Sequence, residues 1–232
     1  MSLSVASSCI AAARCGILIV MNIGVIGATG RIGQRIVAEA VNRGHNVTAF
    51  TSNASKIPAE KGKVAWKTAD VMDAKSVASA MEGQDVLISS YGPAMGSDPK
   101  PIATAAEVLL QAAEKHPNVR VLVVGGAGSL EVAPGKTVID AGMIPAEWIA
   151  IPVAHKEALD VFKKNSTANW TFFSPAAMIQ PGERTGKFRL GGDQLIVGEN
   201  GKSEISMEDY AIAMIDEAEK PQHLRKRFTI GY

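Results

Sequence analysis

Three glycines at three-residue spacing constrain the fold of this chain more than any other feature. Gly27, Gly30 and Gly33 directly follow the apolar run of residues 23–26, in the stretch GVIGATGRIGQR. Glycines at this spacing allow a tight turn between a strand and a helix, and they let an anion approach the N–H groups of the helix N-terminus. The stretch therefore predicts a strand, a phosphate-binding turn and a helix, although the same glycines could serve packing alone.

Strand-like and helix-like patterns alternate from residue 21 onward. We predict strands at 22–26, 46–50, 63–68, 85–89, 119–124, 169–173 and 227–232, and helices at 31–43, 73–82, 101–115, 152–164 and 207–220. This alternation is typical of an α/β fold with a doubly wound parallel sheet, whose ligand lies at the carboxyl ends of the strands. Residues 175–206 are glycine-rich and irregular, so we expect no helix there and interpret them as a small C-terminal substrate lobe.

Charge and cysteine content narrow the class of partner. Lys and Arg number 24 against 23 for Asp and Glu, so no broad basic surface is expected to attract nucleic acid or an anionic membrane. The four histidines are scattered, and both cysteines, Cys9 and Cys15, lie in the first fifteen residues. We therefore predict neither a metal site nor a disulfide framework. We expect the protein to bind a small molecule and to be a monomer or homodimer.

Residues 1–20 differ from the rest of the chain. They are small and apolar, but no basic residue precedes the apolar stretch and Arg14 interrupts it, which argues against a signal peptide or a membrane span. Met21 stands directly before the first predicted strand. We expect residues 1–20 to be a dispensable extension, residues 21–232 to form one dinucleotide-binding domain, and the protein to be cytoplasmic.

The end of the second predicted strand indicates which dinucleotide is bound. NAD-binding proteins usually carry an acid about 20 residues after the glycines, whereas here Ser52 and Asn53 follow the strand and no acid occurs between Glu39 and Glu60. A carboxylate would repel a 2′-phosphate, and Arg31 and Lys56 could attract one. The sequence favours NADPH over NADH, unless both cations are only solvated surface residues.

The chain resembles the atypical short-chain dehydrogenases/reductases, and most of all the NmrA-like branch that includes NAD(P)H-flavin reductases and biliverdin reductase B. The motifs that carry the resemblance are GATGRIG, Asp70-Val71, LISSYGP, VVGGAGS, WTFFSPA, RTGKFRLGGD and ISMEDYA. The resemblance implies a Rossmann fold, with adenine beside Asp70 and Val71. Together with the glycine turn and the second strand, it gives these candidate cofactor residues: Gly27, Thr29, Gly30, Arg31, Ile32, Gly33, Ser52, Asn53, Asp70, Val71, Ser89, Ser90, Tyr91 and Gly92, the last four beside the nicotinamide ribose.

One departure from the family concerns its proton donor. Short-chain dehydrogenases use a Tyr-x-x-x-Lys pair on one helix face, and Lys156 matches the Lys while Pro152 stands at the Tyr position. The neighbouring His155 resembles a pocket histidine of biliverdin reductase B, but it could be an ordinary helix residue. Ser129 loosely matches the catalytic serine and could instead cap a turn. His155, Lys156 and Ser129 are the candidate catalytic residues.

Two classes of function are compatible with these residues. The first is a reductase that passes hydride from NADPH to a flavin or a similar planar acceptor, with the flavin as substrate. The second is a non-catalytic NADP(H) sensor of the NmrA type, which acts through a protein partner. A sugar epimerase or dehydratase is less favoured, because it would need the missing tyrosine.

Overall fold

The computed structural model describes residues 20–93 and 98–232, and it shows a layered α/β architecture. The strands are β1 (Asn22–Ile26), β2 (Asn46–Thr51), β3 (Ala65–Thr68), β4 (Val86–Ser89), β5 (Arg120–Val124), β6 (Glu131–Ala133), β7 (Lys136–Thr137), β8 (Trp170–Ser174), β9 (Met178–Gln180), β10 (Arg189–Gly191), β11 (Glu204–Ser206) and β12 (Lys226–Gly231). The helices are α1 (Arg31–Asn42), α2 (Ala74–Met81), α3 (Pro101–Lys115), α4 (Ala150–Lys164) and α5 (Met207–Glu219), with short 3₁₀ turns at Ala54–Lys56 and Ala146–Trp148.

An eight-stranded sheet forms the central layer, in the order β10-β12-β8-β5-β4-β1-β2-β3. Its strands are parallel except for β10, which runs antiparallel to β12 at one edge. The strand order reverses between β1 and β4, and such a reversal opens a ligand crevice at the carboxyl ends of the strands. The predicted Rossmann-like, doubly wound fold is confirmed.

Helices cover both faces of the sheet. On one face α1 and α5 bury an apolar cluster against β1, β2 and β12, in which Phe173 stacks between Tyr210 and Phe228. On the other face α2, α3 and α4 bury a second cluster, which includes Phe162 and Phe172. Two-sided burial explains why the central strands β1, β4 and β5 are almost continuously apolar in sequence.

Several elements differ from the sequence prediction. Helix α4 begins at Ala150, before the predicted start at Pro152, because the first turn of a helix tolerates a proline that lacks an N–H. The short hairpin β6–β7 was not predicted, since it has only a few residues on each strand. Residues 175–206 contain no helix, as predicted, but they form β9, β10 and β11, so their irregular appearance was partly misleading.

Two further predictions concerned residues 1–20 and a possible membrane span. The predicted extension lies outside the described residues except for Val20, which is exposed. Among the helices that the structure describes, none is long and apolar enough to cross a bilayer.

Candidate functional site

The carboxyl ends of β1 to β4 bring the predicted cofactor residues to one edge of the sheet. Backbone hydrogen bonds continue the strand ladders past the strand ends: Ala28 N–H donates to the Phe50 carbonyl (3.2 Å), and Ser90 N–H donates to the Ile26 carbonyl (3.0 Å). In the same way Ala69 N–H donates to the Thr51 carbonyl (3.0 Å). The loops that carry the adenine-side and nicotinamide-side candidates therefore start from adjacent, fixed points.

The glycine turn has no room for side chains at two of its three glycines. Gly27 has a φ of +74°, and a Cβ built on it would lie 2.8 Å from the Ser90 carbonyl oxygen. A Cβ on Gly33 would lie 2.2 Å from the Gly27 carbonyl oxygen, so this glycine lets α1 pack directly on the turn. Gly30 is the N-cap of α1 and supplies no side-chain cap. A tight, uncapped helix N-terminus of this kind fits the pyrophosphate of a dinucleotide.

The side chains around this turn differ in exposure. Thr29 and Ile32 are half-buried, whereas Arg31 is exposed at the first position of α1. Ser52 and Asn53 are exposed after β2, and the Asn53 side chain accepts a hydrogen bond from the Ser55 N–H (2.9 Å). An open cleft of about 440 Å³ adjoins this region, with Thr29, Gln34, Lys56, Pro58 and Trp66 in its walls.

The adenine-side pair lies at the end of β3. Val71 is buried, while Asp70 is exposed and accepts a hydrogen bond from the Met72 N–H (2.9 Å). This bond fixes the turn that leads toward α2. One apolar and one polar side chain therefore stand next to each other at the strand end. Their contact with adenine stays a prediction.

The residues after β4 have unequal surroundings. Ser89 is buried, Gly92 is exposed, and the Ser90 hydroxyl donates to the carbonyl oxygens of Ile26 (2.9 Å) and Gly27 (3.2 Å). Ser90 thus fastens β4 to the glycine turn, a structural role that its motif did not indicate. Tyr91 is half-buried, and burial together with the Asp70 carboxylate raises the pKa of its phenol, which stays protonated at neutral pH.

His155 lies on the inner face of α4, against the glycine-rich end of β5. A Cβ built on Gly126 would lie 2.8 Å from the Cβ of His155. Burial lowers the pKa of His155 to about 4, so the imidazole is neutral at physiological pH. With Ser89, Tyr91 and residues of α3 it lines a small, partly open cavity of about 10 Å³, which has room for about one water molecule.

The other two candidate catalytic residues have partners of their own. The Lys156 ammonium lies 2.9 Å from the Asp160 carboxylate, and this hydrogen bond raises the pKa of Lys156. The Ser129 hydroxyl accepts a hydrogen bond of 3.4 Å from Arg227, whose guanidinium also pairs with Asp193. The structure therefore brings His155 to the sheet edge, while Lys156 and Ser129 contact charged residues. Their catalytic roles stay predictions.

A buried carboxylate that was not among the candidates holds the lobe of residues 175–206 against α5. Asp209 on α5 is fully buried and accepts hydrogen bonds from the N–H groups of Thr185 and Gly186 (both 2.8 Å) and from the Tyr232 hydroxyl (2.9 Å). Arg184 forms a two-bond ion pair with Glu39 on α1 (2.8 and 2.9 Å). Asp209 lies in the motif ISMEDYA, but the motif alone does not indicate which segment its carboxylate binds.

Comparisons with known proteins agree with this geometry. A family model described as NAD(P)H-binding matches residues 27–221. The chain is similar to three solved structures: a "Putative exported protein" of Burkholderia pseudomallei (46% identity, 91% of this chain and 100% of that one, TM-score 0.83), a "putative epimerase" of Bacteroides thetaiotaomicron (40%, 92% and 97%, 0.83) and a "putative NADH-flavin reductase" of Streptococcus pneumoniae (35%, 91% and 99%, 0.81). These relatives match the chain along almost their whole length, although their names differ.

Proposed function

Because the chain belongs to the NAD(P)H-binding family of atypical short-chain dehydrogenases/reductases, in its NmrA-like group, we propose that it passes hydride from NADPH to a flavin or a similar planar acceptor. The nicotinamide supplies the hydride when bound. The protein's part is to hold the dinucleotide along the carboxyl edge of the sheet and to leave one face open to the acceptor.

The observation that carries this proposal is the pair Pro152 and His155 on α4. Carbonyl reduction produces an alkoxide, and a positioned acid accelerates that reaction by about 10² to 10⁴. Pro152 has no proton to give, and the His155 imidazole is already neutral. A flavin accepts hydride at a ring nitrogen and spreads the charge over its rings, so positioning is the main contribution that it requires from the protein.

We assign the acceptor-facing role to His155 before the other two candidates. Lys156 and Ser129 already have partners in Asp160 and Arg227, and those contacts hold their polar atoms. His155 stands where α4 meets the end of β5. The lobe of residues 175–206, held by Asp209 and Glu39, is the proposed cover of the acceptor within a single domain of residues 21–232.

NADPH is the proposed cofactor. Arg31 is exposed at the start of α1. Ser52 is exposed after β2, and Lys56 farther along the same loop lines the adjoining cleft. The 2′-phosphate on the adenosine ribose would lie at this end of β2. No acid follows β2 until Glu60, so no carboxylate there opposes the phosphate. NADPH is regenerated inside cells, and for this reason we propose that the protein acts in the cytoplasm. The oligomeric state that we propose is a monomer or homodimer.

A non-catalytic NADP(H) sensor is the second candidate, and a specific observation favours it. The partly open cavity beside His155 holds about 10 Å³, which is too small for the ring system of a flavin. A protein that only binds the dinucleotide would need no larger space.

Steady-state kinetics with NADPH distinguish the two classes and the acceptor type. We expect turnover with FMN and negligible turnover with simple ketones. Efficient ketone reduction would contradict the proposal and would make the protonated Tyr91 phenol the candidate acid. Absence of turnover with every flavin and quinone would favour the sensor.

A further inference from the structure

An exposed apolar segment leads into the helix that carries His155. Residues 142–153, GMIPAEWIAIPV, contain one charged residue, Glu147. Trp148 is 67% exposed and Met143 is 59% exposed. Large apolar side chains exposed within one short segment are typical of binding sites, and this segment leads into the helix of the proposed active site.

Trp148 lies on the same helix face as Pro152 and His155. It ends a 3₁₀ turn, and the following residue, Ile149, has helical dihedral angles, so the chain passes from the turn into α4 in a helical conformation. Residues at i, i+4 and i+7 share one face of a helix, which places Trp148, Pro152 and His155 in a single row. The row faces the glycine-rich loop after β5, since a Cβ on Gly128 would lie 2.6 Å from the Cβ of Pro152.

The direction of α4 relative to the sheet determines the position of Trp148. Helix α4 crosses back between the parallel strands β5 and β8, so its N-terminus lies at the carboxyl edge of the sheet. Seven residues of helix span about 10 Å at 1.5 Å per residue. Trp148 therefore extends about 10 Å beyond His155, above the strand ends, a distance comparable with the length of three fused rings.

We propose that Trp148 is the stacking surface for the planar acceptor, and that this site recognises the ring system and not an anionic tail. The inference rests on the proposed function, because it locates that function's acceptor. An indole face left open to water is suited to stacking on a conjugated ring. The cavity beneath His155 is too small for such a ring, so the acceptor lies on the open side, along the row from Trp148.

The charges near residues 142–153 explain why the site does not select for an anionic tail on the acceptor. Residues 137–155 contain no Lys or Arg, while Asp140 and Glu147 are acidic. The pKa of the Asp140 carboxyl is lowered by its hydrogen bonds with Thr137 and also by the flanking cation Lys136, which lies close to it. The next cation on α4, Lys156, is already paired with Asp160 at 2.9 Å. A phosphate on the acceptor would find repulsion here and not a partner.

Binding of oxidised flavin to the NADP⁺-loaded protein tests the site without turnover. Stacking on Trp148 should quench the fluorescence of riboflavin, and the Kd obtained from the titration should rise about tenfold or more in Trp148→Ala but less than about threefold in Trp148→Phe. Leu224→Ala is the control, because Leu224 is an exposed apolar residue that precedes β12 and so lies at the amino ends of the parallel strands, away from the site. This variant should leave the Kd unchanged. Riboflavin should bind at least as tightly as FMN.

Distinct results separate this inference from the proposed function. If the parent protein reduces flavin but Trp148→Ala keeps the parent Kd and KM, the stacking site is wrong and the function stands. If riboflavin binds through Trp148 without being reduced by NADPH, the site stands and the function is wrong. FMN binding more than about threefold tighter than riboflavin, or a parent dimer that Trp148→Ala dissociates, would overturn the assignment of this surface to a ring.

Discussion

At the scale of single residues, His155 is the side chain whose chemistry differs most between a carbonyl reductase and a flavin reductase. A neutral, half-buried imidazole contributes shape and not a proton. We expect His155→Ala to lose less than about tenfold in kcat/KM for FMN, since positioning supplies most of the rate. Steady-state kinetics of the parent and the variant measure this, and a loss of several orders of magnitude would contradict it.

The same burial makes the stability of the fold depend on pH. His155 has a pKa of about 4 in the native state against 6.5 in the unfolded chain, so the unfolded state binds more protons between these values. Stability is therefore lost as the pH falls from about 6.5 toward 4, and His155 accounts for about 2 kcal/mol of that loss between pH 7 and pH 5.

Urea unfolding at both pH values tests the histidine, with His155→Gln as the matched variant. The free energy of unfolding should fall by about 2 kcal/mol less in the variant than in the parent. Equal decreases would show that His155 is protonated in the native state at pH 5.

Ser52 is the residue that tests the choice of cofactor. Calorimetry should show tighter binding of NADPH than of NADH by the parent. Ser52→Asp should reverse the order, because a carboxylate at the end of β2 would repel the 2′-phosphate and accept the ribose hydroxyls of NADH. Equal affinities of the parent for both cofactors would remove the argument from Arg31 and Ser52.

At the scale of elements, the contact between the glycine turn and α1 is the most exacting. Gly33→Ala would place a methyl group 2.2 Å from the Gly27 carbonyl oxygen, so we expect a destabilisation of about 1 to 3 kcal/mol and weaker NADPH binding. Gly192→Ala is the control, since nothing lies within 4 Å of its Cβ position. Thermal unfolding and NADPH titration of both variants should separate them. A Gly33→Ala protein that binds NADPH as tightly as the parent would contradict the interpretation that Gly33 is needed for the pyrophosphate to approach the turn closely.

The elements that local sequence specifies were predictable, and those that distant contacts specify were not. The Gly27-Gly30-Gly33 spacing and the apolar strands act within a few residues, and the resulting strand–turn–helix order was correct. Strand β10 depends on the pairing of Arg189 with Gly231, far along the chain, so no local pattern indicated it. At the site, the ion pair of Lys156 with Asp160 was not predicted, although its i, i+4 spacing is a local signal. The half-buried position of His155 depends on α3 and β5, which no local pattern indicates.

At the scale of the whole molecule, the contacts of the lobe join both halves of the site. Glu39 on α1 and Asp209 on α5 hold the lobe at Arg184 and Thr185, behind the glycine turn. Farther along the lobe, Asp193 pairs with Arg227, which also bonds Ser129 in the loop after β5. The lobe is thereby tied to the elements that would hold the dinucleotide and to those that would face the acceptor.

The central claim is that this whole assembly transfers hydride to a flavin, and anaerobic mixing of the purified protein with NADPH and FMN tests it most directly. Following the nicotinamide and flavin absorbances together shows whether both change, and a reaction without protein is the control. We predict that NADPH is oxidised and FMN reduced in equal amounts, at a rate proportional to protein concentration. NADPH that binds to the protein but stays reduced in the presence of FMN, other flavins and quinones would contradict the claim and favour the sensor.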